Sequence, residues 1–252
     1  FVIECHGTYT SPPGFRPMSE VEDVWDSMSE RVVDMITFSL RDTKNAKVFV
    51  EAKTAIHTFI RTLESFEFSV SRLNALVLSF FRRFAQLLRE RFAADFQQAI
   101  REAQHQPMIV NDATELAKVL SVCWLKPGEA EQLGKQPFPL SLPFSQTYPL
   151  CCMDIRSLVE QYYSFSQGMT QYHQEIDAIL SQSLDDLLIQ LISVNIRDTV
   201  EQSNNLSQIA QIIVNIEHFQ LACSELEKWL SESSTPNPGS HLILGAAEHL
   251  ST

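Results

Sequence analysis

Residues 69–104 read SVSRLNALVLSFFRRFAQLLRERFAADFQQAIREAQ. No Gly or Pro interrupts them, and large apolar side chains recur three and four apart: Val70, Leu73, Leu76, Val77, Phe80, Phe84, Leu87, Leu88, Phe92, Phe96 and Ile100. That spacing puts them on one stripe of an α-helix, whereas a half-buried strand would alternate. At about 1.5 Å rise per residue the helix spans roughly 50 Å. A helix of that length outgrows a compact globule of this size. The expected architecture is therefore all-α, an elongated rod of stacked antiparallel helical bundles.

The flanking sequence extends this pattern in both directions. Phe49, Ala52, Ile56, Phe59, Ile60, Leu63 and Phe66 make the stripe of a helix over 46–66. Val21, Val24, Trp25, Met28, Val32, Met35, Ile36 and Leu40 make that of an earlier one, which Ser19 to Glu22 opens with capping-box spacing. Phe1 to Pro17 reads as a lead-in loop. Pro107 ends the long helix, and Asp112 to Glu115 opens a short one through about Trp124. Five of the 11 prolines fall between Pro127 and Pro149. There Phe138, Leu140, Leu142, Phe144 and Tyr148 alternate with small residues and proline, as in an extended segment packed along a bundle. Helical spacing returns from Ile155 to Ile192, with Gly168 as a break, and again from Leu206 through Ile209, Ile213, Ile216, Phe219, Cys223 and Leu226 to Leu230. Residues 231–240 read as a loop and 242–250 as a short helix. The expected organisation is a helical bundle over 1–125, a Pro-rich connector over 126–150 and an acidic helical bundle over 151–252. No fixed internal period points to a repeat array.

Composition narrows the function. The 252 residues are 44% hydrophobic, enough for a sizeable core, with a net charge of -12. From Met153 onward there are 3 Lys and Arg against 13 Asp and Glu. That imbalance argues against nucleic acid and against docking this half on anionic lipid. No apolar run reaches the roughly 18–20 residues of a membrane span. With no initiator Met and no signal peptide, the chain reads as a fragment of something longer. Five cysteines, an odd number with no Cys-x-x-Cys, fit a reducing cytosol better than a disulfide framework.

Motifs for chemistry are missing at the local level. There is no Gly-rich phosphate loop, no Gly-x-Ser-x-Gly elbow and no His pair at i, i+4. The chain is read as non-enzymatic, with no cofactor and no metal. Cys151-Cys152 reads as two small apolar residues at a helix start in preference to a lipidation site. Asp185-Asp186 reads as a solvated face in preference to a paired acid. Arg82, Arg83, Arg89 and Arg91, diluted by Glu90 and Asp95, likewise read as a solvated face. One candidate surface stands out: Gln211, Asn215 and His218, joined by Gln208, share a face that is polar but uncharged, beside Ile212, Ile216 and Phe219. Neutral hydrogen-bonding groups flanked by apolar side chains suit a protein partner, although an ordinary exposed face has the same composition.

Four stretches, in order, carry a resemblance. They are Phe66 to Leu73 (FEFSVSRL), Gln106 to Met108 with the following Asn111-Asp112 start, Leu142 to Pro149 (LPFSQTYP), and Gln211 to Cys223 (QIIVNIEHFQLAC) with Leu226-Glu227 behind it. Over about residues 15–232 the chain resembles the family of exocyst complex component six, the Rab-receiving exocyst subunit, in a fungal-like form. The resemblance implies a tethering-complex helical fold and assembly with other exocyst subunits. It implies binding of a GTP-bound Rab GTPase of secretory vesicles, and a cytoplasmic protein peripheral to those vesicles and to sites of exocytosis. It places Rab contact at Asn215 with Gln211, Ile212, Ile216, His218 and Phe219. The alternative is a purely structural segment that packs against other exocyst subunits without touching Rab.

Overall fold

A computed structural model describes residues 18–102 and 105–233. Apart from two strands of two residues each, the regular structure of these residues is helical, an all-α bundle fold. The lead-in loop and the short helix expected at 242–250 lie outside the described residues, as does most of the loop expected at 231–240. The chain divides into two compact units, one ending at Leu87 and the other starting at Leu88. The helix of the deciding stretch contributes to both. The Pro-rich segment 126–150 thus falls inside the second unit.

Helices α1 (Met18–Leu40) and α2 (Ala46–Glu64) and the first half of α3 (Ser71–Arg101) build the first unit. Asn45 caps α2, its side chain accepting from the Lys47 N–H at 3.0 Å. The joint before α3 turns at Glu67, a non-glycine residue with φ of 62°, and is closed by Phe68 N–H donating to Leu63 O at 3.1 Å. Phe68 is thereby placed against Trp25, ring centroids 5.6 Å apart, and the Trp25 indole N–H donates to Ser69 O at 2.7 Å. Phe49 of α2 meets Phe80 of α3 edge-on at 5.6 Å. Only the first half of the α1 stripe is buried: Val21 and Trp25 are in the core, but Met35 and Phe38 stay exposed.

The second unit is organised around α6 (Thr147–Ser166). Tyr148, Cys151, Cys152, Ile155, Leu158, Val159, Tyr162 and Phe165 of this helix are all buried. These positions recur three and four apart, so one broad face of the helix is buried along its whole length. It packs on α4 (Ala113–Val122), α7 (His173–Asp185) and α9 (Leu206–Ser233). The expected break at Gly168 is there: α6 ends at Ser166 and Gly168 takes φ of 81°. Between α7 and α8 (Val194–Gln202) the helix widens into π-type turns over Asp186–Ser193. Asp186, at the start of that stretch, pairs with Arg89 at 2.6 Å, so this carboxylate belongs to an ion pair and not to a paired acid.

The Pro-rich segment departs from an uninterrupted extended strand. It contains a short helix, α5 (Glu129–Gly134), because Gly128 adopts φ of 80° and the Glu129 carboxylate accepts from Lys126 N–H at 2.9 Å. Beyond it, β2 (Leu140–Ser141) pairs antiparallel with β1 (Ile109–Val110) in the register Val110 to Leu140. Leu142 N–H donates to Met108 O at 2.7 Å, and Met108 N–H to Phe144 O at 2.9 Å.

Candidate functional site

Helix α9 begins where the sequence places it, after Asn205, whose side chain accepts from Ser207 N–H at 3.0 Å. Its orientation is the surprise. Over its first four turns the apolar stripe does not face the core. Leu206 is 83% exposed and Ile213 is 52% exposed, whereas Gln211, Asn215 and His218 are buried, Asn215 being only 4% exposed. Farther along, from Phe219 through Ala222, Cys223 and Leu226 to Leu230, the apolar residues turn inward as expected.

The cause is the backbone opposite. The Pro143–Tyr148 segment is not a helix for most of its length, so its buried peptide groups need partners from elsewhere. Asn215 Oδ1 accepts from Ser145 N–H at 3.0 Å, and Asn215 Nδ2 donates to Ser145 Oγ at 2.8 Å. Gln211 Nε2 donates to Pro143 O at 2.9 Å and lies 3.4 Å from Asn215 Oδ1. His218 packs edge-on to Phe144 and Tyr148, with ring centroids at 5.2 and 5.3 Å. Its Nδ1 faces Val214 O at 2.8 Å and must donate, since a carbonyl only accepts; Nε2 lies 3.5 Å from the Glu129 carboxylate. Phe219 closes the cluster on Tyr148 at 5.1 Å, and the Tyr148 hydroxyl donates to Trp124 O at 2.5 Å.

The expected surface is therefore an internal latch. Gln211, Ile212, Asn215, His218 and Phe219 are buried, and Ile216 is half-buried. The shared face was legible from spacing; its direction was not. The residues that reasoning from the sequence missed are Ser145 and Pro143, the latch partners, and Leu206 and Ile213, the side chains that reach the surface. The proline-rich stretch itself was the available signal, because it cannot satisfy its own backbone.

Other sequence candidates resolve plainly. Cys151 and Cys152 are fully buried in α6. Burial pushes the Cys151 thiol well above its usual range and the Cys223 thiol up to about 12. Cys123 is raised by its hydrogen bond with Cys152 and by burial. Thiols held protonated this way behave as small core hydrophobes. Of the arginines, Arg89 pairs with Asp186 and Arg91 reaches Gln161 at 3.3 Å. Among the described residues no group of three His, Cys, Asp or Glu could hold a metal ion, and no helix is long and apolar enough to cross a membrane.

Asp154, on α6, is raised from 3.8 to about 6 by burial and by Asp95, against an opposing effect of Arg91. The folded state thus holds this proton more tightly than the unfolded chain does. Its contribution favours folding below about pH 4 and is lost as pH rises through about 6. Asp154→Asn is expected to remove that part of the pH dependence and to raise the denaturation midpoint at pH 7–8 but not at pH 4. Equal midpoint changes at both ends of the range would rule out the assigned titration.

The pattern of the exocyst complex subunit Sec15 C-terminal family matches residues 72–252. The chain belongs to this family. Family similarity continues upstream of the matched pattern: exocyst complex component SEC15 of Saccharomyces cerevisiae is 25% identical over 239 residues, covering 92% of this chain and 26% of that protein. Exocyst complex component 6 of Rattus norvegicus is 25% identical over 232 residues, 92% of this chain and 28% of the relative. Exocyst complex component sec15 of Schizosaccharomyces pombe is 24% identical over 230 residues, 91% and 28% respectively. The chain spans about a quarter of the length of these relatives. No solved structure matches. In family terms, the latch joins two of the four stretches that carried the resemblance, Leu142 to Pro149 and Gln211 to Cys223.

Proposed function

We propose that this chain is the C-terminal part of an exocyst subunit that helps tether secretory vesicles to the plasma membrane and receives a GTP-bound Rab, acting without catalysis of its own. Family membership over residues 72–252 supports the tethering role. One structural observation favours a partner site on α9. The inward face of the helix is fixed by buried hydrogen bonds, and its outward face presents Leu206 and Ile213. A rigid helix offering apolar side chains meets a partner at low ordering cost. The Rab switch regions are ordered only when the γ-phosphate is present. A surface fitted to that ordered form discriminates by differential affinity alone.

On this reading Ile213 and the half-buried Ile216 touch the Rab, while Asn215 and Gln211 hold the helix from behind. Binding of purified secretory Rab is expected in the GTP-analogue form and not with GDP. Ile213→Asp is expected to weaken it by about tenfold or more, the worth of one apolar anchor, with no change in denaturation midpoint. Asn215→Ala is expected to weaken binding only together with stability. Nucleotide-independent binding, or none, would favour the purely structural segment that joins other exocyst subunits. Binding intact in Ile213→Asp would move the site elsewhere.

A further inference from the structure

The latch has a second side. The segment it holds forms one wall of a groove of about 510 Å³, with Gln146, Thr147 and Leu150 on that side and Ala99, Met108 and Ile109 opposite. The walls are tied together by the Met108 N–H to Phe144 O and Leu142 N–H to Met108 O bonds, and Asn215 fixes the Ser145 backbone. The groove is therefore preformed, of a size suited to a few side chains. Two apolar side chains of its otherwise largely polar lining are open to solvent: Ile109 is 61% exposed and Leu150 is 36% exposed.

Two further features of the same wall count. His105 holds φ of 47°, unusual for a non-glycine residue, and its Nδ1 is buried without a hydrogen-bond partner. Strain and an unsatisfied polar atom together are uncommon in a wall that only packs. Among the described lining residues the charged ones are Glu102 and Glu115. From Leu88 onward the sequence has 9 Lys and Arg against 20 Asp and Glu, so this part of the chain carries a net negative charge as well.

We propose that this groove docks a short segment of another subunit of the assembly, one that seats a large apolar side chain between Leu150 and Ile109 and sets a Lys or Arg beside Glu102. Carboxylates beside two exposed apolar side chains select against acidic segments and favour this pairing. The proposal rests on the reading of the chain as an exocyst subunit and adds a site distinct from the outward face of α9.

The test uses the assembled complex of full-length subunits, with p-benzoylphenylalanine placed at Leu150 and, as a control, at the exposed Ser224 of α9. Failure of the full-length protein to co-purify with the other subunits would sink the subunit reading itself. If it co-purifies, photolysis at 150 is expected to join it to a segment of another subunit with Lys or Arg within a few residues of the attachment point. Adding Glu102→Lys is expected to cut that yield about fivefold or more, from loss of attraction and gain of repulsion at a surface position, and to leave the Ser224 products unchanged. Products confined to this chain, products with segments lacking a basic residue, no product at 150, or a yield indifferent to Glu102→Lys would each overturn the proposal.

Discussion

Asn215→Ala is expected to destabilise the second unit by about 2–4 kcal/mol. The side chain makes a reciprocal pair with one residue, accepting from Ser145 N–H and donating to Ser145 Oγ, and both residues are buried. Alanine leaves a buried backbone N–H and a buried hydroxyl with one partner fewer. The hydroxyl part is separable. In a double-mutant cycle with Ser145→Ala, the two substitutions are expected to be less than additive by about 1 kcal/mol, because they delete the same bond from opposite ends. Strict additivity, or a loss below about 0.5 kcal/mol for Asn215→Ala, would show that the latch carries little of the stability. The result also bears on function. A loss of partner binding caused by this substitution cannot by itself place Asn215 at an interface, so the Ile213→Asp comparison is needed to separate touching from positioning.

Phe144→Ala is expected to cost more, about 3–5 kcal/mol, the range for deleting a fully buried aromatic. Phe144 is fully buried; its ring lies 5.0 Å from Tyr148 and 5.2 Å from His218, and its carbonyl accepts from Met108 N–H. Truncation empties the centre of the contact between the connector and α9. It leaves the backbone bond in place but no longer braced. Denaturant unfolding would measure the loss, and trypsin would report the local consequence. Cleavage after Lys135, at the end of α5, is expected to accelerate before cleavage in α6. A cost below about 1 kcal/mol with unchanged proteolysis would mean that the connector is held by something other than this ring.

Helices α2 and α3 and the break at Gly168 were legible because each depends on local rules: apolar periodicity, cap chemistry and the φ preference of glycine. The same is true of α4. Asp112 accepts from Thr114 and Glu115 N–H, and Glu115 returns a bond to Asn111 N–H at 2.8 Å. The short helix α5 was not legible, since six residues carry too little periodicity to stand out among prolines. The division at Leu87 and Leu88 was not legible either, because a continuous helix gives no local mark where its neighbours change.

By itself, then, the sequence determined the helical class, the order and approximate limits of most helices, the family to which the chain belongs, and the grouping of Gln211, Asn215 and His218 on one face of α9. Only the tertiary structure decided which way that face points. Hydrophobicity favoured turning Leu206 and Ile213 inward, and over the length of α9 that preference wins from Phe219 onward. In the first turns it loses to the unpaired backbone of Pro143 and Ser145, groups far away in sequence. Leaving those peptide groups buried and unbonded would cost more than exposing two aliphatic side chains.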